Sequence, residues 1–270
     1  MTAIVHDPPM TRPAPRRGAP RGLAALVRSE LVLFSRDPGS VFFALLFPTV
    51  LAVGLGFALP GMRDPIESPG SVYDGALVIA MFMPVIMATA IAAPALTTLP
   101  SYVAGYRERG VLRRLAATPM RPHGILIAQV VVNVIAFVAA AALALGLSAI
   151  VFDLEPVRQP LLLVAAFLLG AAATFGIGLL IAALAAKAST ANGLGMLAYF
   201  PLLFFAGLWT PGPIMPDIVE SIARFTPLGA ASQAMTEAWF GTDVPWLQLG
   251  VMVAYVAVLY PLASRLFRWS

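Results

Sequence analysis

The chain has 270 residues, 60% of them hydrophobic and 11% charged, with a net charge of +4 and a mean hydropathy of +0.88. A soluble domain carries about a quarter charged residues and needs polar groups to cover its surface, so disorder, a disulfide-rich secreted scaffold and a soluble nucleic-acid binder are excluded and an integral membrane protein is predicted. The absence of cysteine removes disulfides, thiolate zinc sites and cysteine nucleophiles together.

In chain order, residues 1–20 are rich in proline and arginine without apolar periodicity, and predict a disordered tail. From 23 to 36 the pattern changes. Leu23, Leu26, Val27, Leu31 and Phe34 recur at helical spacing, with Arg21, Arg28, Ser29, Ser35 and Arg36 opposite them. That is the pattern of a helix lying in the membrane interface, stopped by Asp37-Pro38-Gly39. Glu30 breaks it: at about 100° per residue it falls on the apolar arc, where an unpaired carboxylate is costly. Two readings account for it, snorkelling to the headgroups at the helix edge or a salt bridge to Arg113 or Arg114 of the next inner loop.

A helix crossing the hydrocarbon core needs about 20 apolar residues, and six runs meet that need, near 41–59, 76–99, 125–152, 161–186, 191–209 and 246–267. Their interiors hold no Asp, Glu, Lys or Arg, apart from Arg265 at the frayed end of the last. With the N-terminus inside, fourteen of the seventeen basic residues fall on inner segments, leaving Arg63, Arg158 and Arg224 outside with nine of the thirteen acids. The retention of arginine and lysine on inner loops then predicts that both termini are cytoplasmic. The first run follows a basic tail, as a signal peptide would, but its length, the tail before it and the five later runs favour a retained span.

The inner loop near 105–122 reads Tyr106-Arg107-Glu108-Arg109-Gly110-Val111-Leu112-Arg113-Arg114-Leu115-Ala116-Ala117-Thr118-Pro119-Met120-Arg121-Pro122. It predicts a short basic helix with Val111, Leu112 and Leu115 on one side, ended by Thr118-Pro119. Between the last two runs, Pro201-Leu202-Leu203-Phe204-Phe205-Ala206-Gly207-Leu208-Trp209-Thr210-Pro211 precedes Met215-Pro216, Ile222 and Phe225-Thr226-Pro227-Leu228. In this order, Glu108-Arg109-Gly110-Val111-Leu112, Leu115, Thr118-Pro119 and the second stretch resemble the permeases of type-2 ATP-binding cassette (ABC) exporters, over nearly the whole chain. Ala206 departs from the serine often found at its place.

The resemblance implies an all-α integral membrane protein, with one permease domain over 21–270 after the tail. It implies six transmembrane helices, an N-terminal interfacial helix and a short external helical segment, about 212–241, between the fifth and sixth spans. It makes the inner loop a coupling segment that meets a separate ATPase subunit through Arg107, Glu108, Arg109, Gly110, Leu112, Arg113, Arg114, Leu115, Thr118 and Pro119. A second permease chain, identical or related, completes the pathway. The second and fifth spans line it, which nominates Met83, Met87 and Thr89 on one and Tyr199, Phe204 and Phe205 on the other. Methionine and aromatic side chains suit varied apolar ligands; packing or lipid contact is the alternative for each.

The external segment has its own logic. Pro216 suits a first helical turn, Asp217 and Glu220 lie near the positive end and Arg224 near the negative end, and Ile218, Ile222 and Phe225 form a stripe. Residues 229–240 predict a second short helix. The pair reads either as a lid dipping into the outer leaflet or as an exposed loop.

Chemistry within the chain is not expected. Gly105 and Gly110 have the spacing of a phosphate-binding loop, but Val111 and Leu112 stand where its Lys and Ser/Thr belong. His6 and His123 are the only histidines, too few and too far apart for a metal site or a catalytic triad. Ion-coupled transport normally places an ionisable group inside the bilayer, and apart from Arg265 at the frayed end of the last, no run carries an Asp, Glu, Lys or Arg. The expectation is a permease without ATPase activity, metal or cofactor of its own. It exports a hydrophobic or amphipathic drug, antibiotic or lipid-like molecule, with ATP and magnesium on the separate ATPase. A stand-alone secondary transporter or channel is the competing class. The setting is a bacterial plasma membrane, with lipid as a further partner.

Overall fold

The computed structural model describes residues 19–110, 123–211 and 214–267. Its helices are α1 (Ala19–Ser35), α2 (Pro38–Ala58), α3 (Val78–Glu108), α4 (His123–Phe152), α5 (Pro160–Leu184), α6 (Ala188–Phe205), α7 (Asp217–Ala223), α8 (Pro227–Phe240) and α9 (Trp246–Leu266). Six of them, α2 to α6 and α9, are long and apolar enough to cross a membrane. The fold class read from the sequence is therefore found. The tail 1–18 lies outside the described residues.

α1 turns Leu26, Val27, Glu30, Leu31 and Phe34 toward the bundle and leaves Arg28, Ser29, Val32, Leu33 and Arg36 exposed. Its apolar arc thus faces protein, chiefly α4. Asp37 then caps α2, accepting the Ser40 N–H at 3.3 Å and the Ser40 hydroxyl at 2.6 Å, with Pro38 in the first turn, where its missing N–H costs nothing.

α3 is the centre of the bundle. Of its most apolar stretch 89% is buried, whereas no other span exceeds 50%. It packs against α2, α4, α5, α6 and α8. It is also irregular, opening with a 3-10 turn over Val78–Phe82 and widening to a π turn over Pro94–Thr98. Pro100 follows that turn and has no N–H to give the carbonyl of Leu96, four residues earlier. Two glycines lie against the freed backbone. A Cβ on Gly178 of α5 would strike the carbonyl oxygen of Ala95, and one on Gly195 of α6 would strike that of Leu96. In each case the glycine hydrogen takes that direction, so three helices approach to backbone contact and Cα–H groups face the carbonyls.

α3 runs to Glu108, well beyond the end near residue 99 that its apolar run predicts. The extra turns carry Tyr102, Tyr106, Arg107 and Glu108, whose polarity reads as loop until their partners are seen.

The two short helices after α6 differ sharply. α7 and the turn after it expose Ile218, Ile222 and Phe225. α8 is buried along Leu228, Ala230, Ala231, Ala234, Met235 and Ala238, and packs among α3, α5, α6 and α9. Its small side chains permit that insertion, and Gly170 of α5 abuts Ala231. Its ends are satisfied. The Thr226 hydroxyl accepts the Gly229 N–H at 3.2 Å. The Gln159 N–H donates to Ala238 O at 2.9 Å and Arg158 Nη1 donates to Phe240 O at 2.7 Å.

Candidate coupling site

Arg28, Arg36, Arg107, Arg109, Lys187 and Arg265 belong to one end of the bundle, where α1, the end of α3, the α5–α6 turn and the end of α9 meet. At this arginine-rich end three consecutive residues of α3 grip different elements of the bundle.

Tyr106 holds α1 and α4. Its hydroxyl donates to the Glu30 carboxylate, 2.8 Å from Oε1 and 2.6 Å from Oε2. Gln129 Nε2 of α4 donates to the same Oε2. Glu30 is only 5% exposed and Gln129 3%. Two donors on a buried carboxylate replace the water it has lost. One turn earlier, the Tyr102 hydroxyl lies 3.4 Å from Asp37 Oδ2. The Ser40 hydroxyl, more than any other neighbour, holds the Asp37 carboxyl below the usual range, and Tyr102 adds to it.

Arg107 holds the end of α5. Its Nη1 donates to Ala182 O at 3.0 Å and Ala185 O at 2.6 Å, carbonyls that lie where the helix can supply no further donors. Its Nε and Nη2 are shut from solvent without a hydrogen-bond partner, and its guanidinium lies 5.1 Å from the centre of the Phe267 ring.

Glu108 holds the start of α6. Its Oε2 accepts the Ala188 N–H at 3.1 Å. Lys187, the residue before α6, offers no side-chain cap of its own. A cation at the α5 C-terminus and a carboxylate at the α6 N-terminus both have the sign that the helix dipole favours.

Arg109 and Gly110 close α3. Arg109 is exposed, with Nε donating to Gly105 O at 3.2 Å, and Gly110 takes φ +66°, a left-handed conformation that suits glycine at a helix end. Leu112, Arg113, Arg114, Leu115, Thr118 and Pro119 lie outside the described residues, as does the short helix expected there.

The structure separates residues that the sequence groups. Arg107 and Arg109 were expected on one docking face, but Arg107 turns into the bundle. Glu30 does not snorkel: its carboxylate points at α3 and α4, because the arc it shares with Leu26, Val27 and Leu31 faces protein. Tyr102, Tyr106 and the caps on α5 and α6 were not assigned roles from sequence. The available signal was the spacing of two tyrosines one turn apart directly before Arg-Glu, and of Gln129 and Asn133 one turn apart in an otherwise apolar span.

The candidate pathway residues also divide. Met83, Met87 and Thr89 are buried inside the chain, with the Thr89 hydroxyl donating to Ile86 O at 2.7 Å. Tyr199 and Phe205 are half-buried, and Phe204 is exposed beside Phe205. The two sets do not share an exposed surface in this chain. Among the described residues no group of three or more His, Asp or Glu could hold a metal.

Comparison with known proteins gives a consistent picture. The family model described as ABC-2 type transporter matches residues 21–240. A protein of Bacillus subtilis (strain 168) named as a transport permease, YvfS, is 26% identical over 163 residues, which cover 60% of this chain and 66% of the relative. The daunorubicin resistance ABC transporter permease protein DrrB1 of Streptomyces coeruleorubidus is 33% identical over 100 residues, 35% of each chain. The matched stretches thus span a little under two thirds of the first relative and about a third of the second. With six spans, one of them a buried central helix, and a family match over most of its length, the chain is a multi-pass membrane protein that belongs to the ABC-2 type transporter family.

Proposed function

We propose that this chain is the membrane-embedded permease of an exporter that moves a hydrophobic or amphipathic small molecule out of the cell, using ATP hydrolysed by a separate ABC ATPase subunit. The observation that carries the reading is α3. This most buried helix crosses the whole bundle and ends, at Glu108, directly at the basic loop. A partner on that loop therefore acts on the centre of the protein rather than its rim. The arginine-rich end faces the cytoplasm, as the distribution of basic residues favours. ATP and magnesium belong to the partner, and a second permease chain completes the pathway. The spans carry no charge in their interiors that would couple transport to protons or sodium. The name of the Streptomyces relative, a daunorubicin resistance permease, supports a lipophilic drug or antibiotic as cargo.

Two measurements test this. An ABC ATPase encoded beside the permease should copurify with it, and cells holding both should survive a panel of lipophilic drugs better than cells holding either alone. Transport by the purified chain without a partner would point to a stand-alone transporter or channel instead.

A further inference from the structure

Resting on the exporter reading, we propose that Tyr106-Arg107-Glu108 is a transmission joint, which carries displacement of the basic loop to the α5–α6 turn so that α6 moves together with α3. Arg107 and Glu108 are positioning residues in this scheme and do not themselves meet the ATPase.

The geometry favours transmission over docking for both. Arg107 spends Nη1 on Ala182 O and Ala185 O, and its other two nitrogens are closed off from solvent. A guanidinium so placed cannot present its fork to an incoming protein. Glu108 commits Oε2 to the Ala188 N–H, the first free donor of α6. Adjacent residues on one helix thus grip both sides of the turn that joins α5 to α6. Shifting the turn relative to α3 breaks charge-assisted hydrogen bonds at both helix ends.

A second layer lies deeper. The contacts of Gly178 with the Ala95 carbonyl and of Gly195 with the Leu96 carbonyl join the same three helices at backbone distance. Attachment at two levels resists both sliding and tilting, so α3, α5 and the start of α6 form one body. Tyr106 extends it to α1 and α4 through Glu30 and Gln129. A pull on the chain after Glu108 reaches α6 through side chains, without passing along α4 and α5 first.

The test uses the absence of native cysteine. Ser189 in the first turn of α6 and Ser264 near the end of α9 are both exposed. Spin labels on Ser189→Cys and Ser264→Cys report α6 movement, and labels on Ala116→Cys and Ser264→Cys report loop movement. Distances are measured by double electron–electron resonance on the permease–ATPase complex in proteoliposomes, with and without ATP plus vanadate. Both distances should shift in the otherwise unaltered complex. Glu108→Ala and Arg107→Gln should keep the loop shift and shrink the α6 shift, the deeper glycine contacts carrying what remains, with a matching fall in transport. Glu108→Gln, whose amide oxygen still accepts the Ala188 N–H, should keep both. If Arg107→Gln does not assemble, Glu108→Ala decides alone, because this exposed side chain leaves no cavity. Retention of both shifts at full size in Glu108→Ala overturns the joint and leaves the exporter reading standing. No ATP-dependent shift at the loop of the unaltered complex overturns the exporter reading, and the joint with it.

Discussion

Glu108 of α3 caps α6 across 80 residues of sequence, its Oε2 accepting the backbone N–H of Ala188 at 3.1 Å. The bond satisfies a helix end that has no local cap. Glu108→Ala should cost about 0.5 to 2 kcal/mol, the usual range for a lost N-terminal cap, and Glu108→Gln much less. Thermal unfolding in detergent reads this as a modest fall in midpoint for the alanine variant. Equal midpoints for the two variants would show that the cap contributes nothing.

Glu30 and Tyr106 should behave as a coupled pair. Tyr106→Phe removes one donor from a buried carboxylate, and Glu30→Ala leaves both the tyrosine hydroxyl and Gln129 without their acceptor. Each single change should lower stability by about 1 to 3 kcal/mol. The double variant should be less damaged than the two added together, since they share one interaction. Strict additivity in a double-mutant cycle would contradict the contact.

The backbone contacts of α3 predict a contrast within α6. Gly195→Ala drives a methyl into the Leu96 carbonyl, and Gly178→Ala on α5 does the same to Ala95. Helix separation of this kind costs about 1 to 3 kcal/mol, as overpacking does elsewhere. Gly193→Ala meets nothing within 4 Å, so helix propensity should make it neutral or stabilising. Midpoints that fall equally for Gly193→Ala and Gly195→Ala would refute this account.

Asp37 sets a pH dependence. The Ser40 hydroxyl holds its folded titration below the unfolded value. The resulting stabilisation is complete above the ordinary carboxyl range, about pH 4, and disappears as pH falls through the lower folded value. Ser40→Ala should therefore be less stable at neutral pH, with the gap closing in acid. A gap of unchanged size from pH 7 to below pH 4 would count against the bond. The effect is small, because Asp37 is only partly buried and solvent screens it.

Hydropathy was enough to find six spans, since apolar runs of sufficient length have few other uses. It ended α3 near residue 99 because a window reads polarity and is blind to partners: Tyr106, Arg107 and Glu108 form hydrogen bonds with residues 76, 75 to 78 and 80 positions away. Glu30 illustrates the same limit. Its place on the apolar arc of α1 is plain from spacing, but Gln129 lies 99 residues off. α8 was legible as a helix, although its burial was not. Alanine and glycine carry little hydropathy, and it is their smallness that lets α8 enter the bundle.

The π turn over Pro94–Thr98 holds one residue more than a regular turn. Each residue of an α-helix advances by about 100°, so the widened turn resets the angular phase of everything that follows it in α3. In an uninterrupted α-helix, Tyr106 would point roughly a quarter-turn or more away from Glu30, and Arg107 and Glu108 would rotate off the α5–α6 turn with it. Deleting a single residue from this stretch would thus misaim three side chains near the far end of the helix while touching none of them.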